Sequence, residues 1–190
     1  MIEQACLKHR IIEEADRKWF RYALEKRITS SITMALMIAI GSCLSSLVSV
    51  GIFAGVFCYI RKRTNGYHAK TFLGCMAFSL ISEVILFGYI YPCIAENLSV
   101  IVVISALLIV ALAPYNHPAM HLNSNEFKAC RRSALLRLVL ILFAYYVAYK
   151  ESYADCIKGI SLGILFAAVS LCMAHINGKD ETNELVKKSN

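Results

Sequence analysis

Blocks without a single charge alternate along this chain with short segments where charges crowd together. Thr29 through Ile60 carries no charged residue. About 32 residues at a rise of about 1.5 Å each is long for one membrane crossing and short for two ideal ones. Ser45, Ser46, Ser49 and Gly51 concentrate in the middle of this block. The pattern therefore predicts a tight hairpin of two short helices turning near residues 45–51, with a re-entrant pair as the alternative. Further apolar spans are predicted at about Phe72–Pro92, Leu98–Ala113, Ala134–Tyr149 and Gly159–Ile176. Pro114 and Pro118 mark the break after the fourth span. Upstream, in residues 1–28, Leu7, Ile11, Ala15 and Trp19 recur at helical spacing among basic residues, which predicts an amphipathic helix lying in the membrane interface. The polar residues 177–190 read as a loosely ordered tail.

Charge sets the orientation. Basic residues precede Thr29, Arg61, Lys62 and Arg63 follow Ile60, and Lys128, Arg131, Arg132 and Arg137 follow the fourth span, whereas Cys93–Asn97 holds no Lys or Arg. The positive-inside rule then gives six crossings with both termini cytoplasmic. The predicted fold class is all-α: one polytopic helical membrane domain over residues 1–190, with its transmembrane region at 29–176. A composition of 58% hydrophobic and 17% charged residues suits this class and not a soluble domain. The charged start predicts no removable signal peptide. A net charge of +7 beside membrane segments points to lipid headgroups, with no nucleic-acid motif to suggest otherwise. The eight cysteines stand singly, without C-x-x-C or a Cys/His cluster, so neither a disulfide framework nor a metal site is expected. No residue pattern calls for a cofactor.

The candidate chemistry lies between the first block and the third span. His68 and Cys75 stand seven residues apart, a spacing that one helix would return to the same face after almost two turns. Cys75 is the candidate nucleophile, and His68 could take its proton and return it to a leaving amine. Gly66 would allow a sharp turn or close approach of a substrate strand. Arg61, Lys62, Arg63 and Lys70 are the cations around this pair, with Lys62, Arg63 and Lys70 as candidates for substrate binding. Ser79 falls on the Cys75 side of the same helix, and Glu83 is the one charge inside an apolar run. Ionisable groups at that depth are costly; structural polar glue or a supporting role is expected, since eight helical residues separate Glu83 from Cys75 by about 12 Å.

The basic run, Gly66-Tyr67-His68-Ala69, the cysteine seven residues after the histidine, and Leu112-Ala113-Pro114-Tyr115-Asn116-His117-Pro118 before a basic segment together resemble the AgrB (accessory gene regulator B) family of bacterial membrane endopeptidases. The likeness spans roughly residues 20–176. It implies six membrane segments in the bacterial cell membrane, a cysteine endopeptidase with Cys75 as nucleophile and His68 as partner, and Arg61 and Gly66 in support. The implied substrate is an AgrD-like propeptide, cleaved through a thioester and cyclised to a (thio)lactone signal for quorum sensing. The loop after Pro114 departs from the family in lacking its longer lysine-rich run. A homodimer is also expected, because the spans contain close-packing Ser and Gly faces. The rival is a non-enzymatic transporter or scaffold. Against it stand the lack of inverted halves and the single intramembrane charge.

Overall fold

The computed structural model describes residues 17–64, 71–115 and 123–189, and among these every regular element is helical. Helix α1 runs from Arg17 to Leu44 and α2 from Leu47 to Thr64. Only Ser45 and Ser46 separate them, and the turn falls there because the Ser46 hydroxyl accepts the backbone N–H of Ser49 at 3.2 Å, capping the first turn of α2. Arg61, Lys62 and Arg63 occupy the last turn of α2, where cations complement the exposed carbonyl end of the helix.

Helix α3 spans Phe72–Ile85 and continues through a π-helical segment, Leu86–Ile90, into the short α4, Tyr91–Ile94. Pro92 accounts for the irregularity, since it cannot donate to the carbonyl four residues back and its ring crowds that turn. A 3-10 turn at Ala95–Asn97 leads into α5, Leu98–Leu112. Helix α6, Ser124–Lys150, starts at a capping box in which Asn123 and Glu126 satisfy each other's backbone donors. A turn in which Ser152 adopts φ 58° connects it to α7, Ala154–Ser189.

The contacts sort these helices between two ends. At one end the final turn of α2 meets both the start of α3, through Arg61 and Cys75, and the residue just beyond α5, where Tyr115 donates its N–H to the Thr64 carbonyl at 3.0 Å. Residues 72–112 must therefore travel away and return, reversing in the irregular 86–97 segment. Arg131 and Arg137 of α6 belong to the same end, donating to the carbonyls of Val110 at 3.5 Å and Tyr59 at 2.6 Å. At the other end Lys158 sits 3.9 Å from the ring centre of Tyr91 and 5.4 Å from that of Phe87.

Helix α7 is the most enclosed and packs chiefly along α2, with α5 and α6 against its other sides. Gly159 and Gly163, one turn apart, face α2 so closely that a Cβ at Gly159 would lie 2.5 Å from the Ser49 carbonyl oxygen, and one at Gly163 would lie 2.8 Å from Val56. Small residues at this spacing let two backbones approach, which is how helices associate where lipid supplies no hydrophobic drive. Around Phe166 of α7, Phe57 stacks at 4.3 Å, Phe53 at 5.9 Å and Phe78 of α3 at 5.8 Å, so one aromatic cluster ties three helices together.

Several expectations are corrected here. Among the described residues four helical stretches are long and apolar enough to cross a membrane: Arg27–Leu44, Leu73–Leu112, Ser124–Lys150 and Ala154–Asn177. Helix α2 ends in three cations, and the expected third and fourth spans lie within one continuous helical stretch, Leu73–Leu112, that reverses in its irregular middle. Of the expected interfacial helix over residues 1–28, the described part from Arg17 is not separate from α1. Residues 1–16 lie outside the described residues, and from Arg17 the chain runs unbroken into α1, with no proline before Leu44 to stop it. The basic segment before the fifth span is the first half of α6 rather than a loop, and the tail is helical through Ser189. The first hairpin turns within the expected 45–51 segment.

Replacing Gly159 or Gly163 by Val should lower thermal stability in detergent by about 1–3 kcal/mol, because the new methyls meet backbone carbonyls or a fully packed helix. Thermal melts of the purified variants check it.

Candidate functional site

Cys75 lies one turn into α3, half-buried, with its backbone N–H bonded to the Thr71 carbonyl at 3.1 Å. Thr71 is extended, at φ −124° and ψ 151°, and its hydroxyl accepts the Gly74 N–H at 3.1 Å. That cap explains why the helix starts at Phe72, and it sets the sulfur close to the positive end of the helix dipole. An uninterrupted helix from His68 to Cys75, the route by which the sequence spacing would align them, is excluded by the extended Thr71. His68 itself, with Gly66 and Lys70, lies outside the described residues, as do His117 and His121.

Arg61 approaches from α2. Its Nη2 donates to the Cys75 Sγ at 3.5 Å, while the guanidinium lies 5.3 Å from the centre of the Phe57 ring. Phe57 belongs to the aromatic cluster around Phe166, so the cation is backed by rigid packing rather than reaching across open space. A guanidinium donor at a sulfur can balance negative charge there or on an adjacent oxyanion. Lys62 and Arg63, in the same turn, are exposed. Of the expected site residues, Arg61 and Cys75 are thus brought into contact.

Ser79 and Glu83 continue the Cys75 face of α3 inward. The Ser79 hydroxyl is committed to the Cys75 carbonyl at 3.0 Å and does not reach the thiol. Glu83 is 0% exposed, and neither carboxyl oxygen has a hydrogen-bond partner among the described residues. It packs against Gly41 of α1 and Val50 of α2, near the α1–α2 turn, which places it away from the sulfur.

Beside the site, Tyr115 meets His175 of α7 edge to face, with ring centres 4.8 Å apart, and the His175 Nδ1 lies 3.0 Å from the Leu171 carbonyl oxygen. Sequence reasoning passed over His175, which carries no motif and stands at the end of the last apolar run. Gly41 was equally silent, since its role is to be absent beside Glu83. Among the described residues no group of His, Cys, Asp and Glu is arranged to hold a metal ion.

Thr71→Ala should cost about 1 kcal/mol of stability by leaving the first turn of α3 uncapped, and Thr71→Ser should retain most of it. Denaturant or thermal unfolding of the two variants separates these outcomes.

Neither curated proteins nor solved structures gave a match to this chain. The profile of the family described as Accessory gene regulator B does match, over residues 2–171 of the 190, and so takes in every helix of the site. With a basic-ended α2 holding its arginine on the cysteine of α3 inside an all-helical membrane fold, the chain belongs to the accessory gene regulator B family and has a role in quorum-sensing peptide processing.

Proposed function

We propose that the chain is a membrane cysteine endopeptidase that cuts an AgrD-like propeptide at Cys75 and releases a cyclic thiolactone or lactone. The observation that carries this is the Arg61 guanidinium on the Cys75 sulfur at the capped start of α3, within a family whose role is peptide processing. His68 takes its role from the Gly66-Tyr67-His68-Ala69 motif. It removes the thiol proton, and the sulfur attacks the scissile carbonyl. Arg61 offsets the negative charge as it passes from sulfur to the tetrahedral oxyanion. The C–N bond then breaks, the acidic C-terminal piece leaves as an amine with the proton from His68, and a thioester remains on Cys75. An internal thiol or hydroxyl of the same peptide, giving its proton to His68, attacks that thioester and frees the Cys75 thiolate with the ring closed. Enforced proximity and a partly dry site favour this attack over water. Lys62, Arg63 and Lys70 receive the acidic tail.

We read the fold as crossing a bacterial cell membrane six times as a single domain, with both termini cytoplasmic and the N-terminal residues at the interface with lipid. The reversal of residues 72–112 and the gathering of Arg61, Arg131 and Arg137 at one end support it. A homodimer is supported by Gly51 and Gly55 on the outer face of α2, where an added Cβ would meet nothing within 4 Å, leaving a small-residue face open to a second copy.

Co-expression with an AgrD-like propeptide tests the chemistry. Cys75→Ala and His68→Ala should each abolish cleavage, and Arg61→Ala should lower it by about 10- to 100-fold through loss of a charge-assisted donor. Intact cleavage in both Cys75→Ala and His68→Ala would sink the peptidase reading and leave the transporter or scaffold alternative. For the topology, the exposed Cys93 should react with an impermeant thiol reagent added outside intact cells. Labelling only after permeabilisation would overturn the six-pass arrangement.

A further inference from the structure

Cys75, Ser79 and Glu83 recur every four residues, so the inner face of α3 presents a thiol, a hydroxyl and a carboxyl in one line. Ser79 is satisfied by the Cys75 carbonyl. Glu83 is not: it is fully buried, and both of its oxygens lack any partner among the described residues. Its place is prepared by α1, where a Cβ on Gly41 would lie 2.6 Å from Oε1 and 2.6 Å from a Val50 methyl. The carboxyl thus occupies a hollow made by a missing side chain. An apolar residue of similar size would fill that hollow without leaving two buried acceptors unsatisfied. The lipid-facing side of α3, with Leu73, Ile81 and Ile85 exposed, offers nothing polar at that level.

The thiol and the carboxyl stand eight residues apart on α3, or about 12 Å along its axis. An extended peptide covers about 3.3–3.6 Å per residue, so a chain whose scissile carbonyl is at Cys75 brings a group three to four residues earlier to the level of Glu83. We propose that the seam between α1 and α3 receives the acyl side of the peptide substrate, with Glu83 accepting a hydrogen bond from an amide or amine N–H three to four residues before the scissile bond. This rests on the peptidase reading given above. Glu83 is on this account a substrate-binding residue that anchors the part of the peptide retained on the enzyme, while the basic turn of α2 handles the departing tail.

The test uses the full chain in lipid nanodiscs with an AgrD-like propeptide. Glu83→Met should melt higher than the wild type, since an unpartnered buried carboxyl is removed, and should raise KM about tenfold or more while kcat stays within about threefold. Glu83→Gln keeps one acceptor oxygen and should fall between. Retention of the uncleaved propeptide on Cys75→Ala, and its loss on Cys75→Ala with Glu83→Met, reports binding independently of chemistry. A Glu83→Met protein that melts lower, that keeps the wild-type KM, or that loses kcat at unchanged KM overturns the proposal. If Cys75→Ala still cleaves, the peptidase reading fails instead. If Cys75→Ala is inactive but Glu83→Met binds propeptide normally, only the Glu83 subsite fails.

Discussion

The close approach of α7 to α2, permitted by two glycines one turn apart, is the constraint from which the rest of the bundle follows. With lipid outside, burial of apolar surface does not favour one helix pairing over another, and close backbone contact and packing decide instead. Once Gly159 and Gly163 seat α7 against Ser49, Ile52, Phe53 and Val56, the Phe166 ring falls between Phe53, Phe57 and Phe78. The same contact fixes the far end of α2, where its carbonyl terminus and three cations gather the start of α3 and the exit of α5.

That gathering is what turns a bundle into a site. Arg61 is held from below by Phe57, the sulfur is held by a capped helix start, and the two meet because both supports are rigid. Electrostatic stabilisation depends on dipoles and charges already in place when charge develops, so a cation backed by an aromatic cluster serves better than one on a mobile loop. Thr71, Thr64 and Tyr115 contribute backbone and capping bonds that mark where each helix ends at the mouth of the site.

Much of this was legible in the chain. Charge-free blocks bounded by basic runs announce a helical membrane protein, and the cluster of serines located the first turn, which Ser46 closes as a cap. The basic run and the cysteine stand out in the sequence as one segment, but their contact is made between two helices and is not given by their spacing. Helix ends were harder to read, because continuation of a helix through Arg17–Arg27, or from Ser124 through Arg137, depends on the lack of a stop signal rather than the presence of a pattern. The helix that carries Cys75 begins only at Phe72, since Thr71 is a better cap than helix interior, and His68 lies outside the described residues. Gly41 and the glycine pair in α7 act through empty space on a neighbouring helix, and periodicity along one helix carries no information about that.

Arg137 lies halfway along α6, bonded to the Tyr59 carbonyl and stacked 4.4 Å from the centre of its ring. With Lys128, Arg131 and Arg132 before it, this leaves only the residues from Leu138 to Tyr149 as an uncharged run, about 18 Å of helix against a hydrocarbon core of about 30 Å. Where α6 crosses a bilayer, the leaflet on the Arg137 side must dip, or water must follow the arginine inward, at this corner of the molecule. A peptide lying flat on the membrane surface would therefore slide down a shallow polar depression instead of diving through intact acyl chains, and bilayers of shorter lipids would deepen the fit.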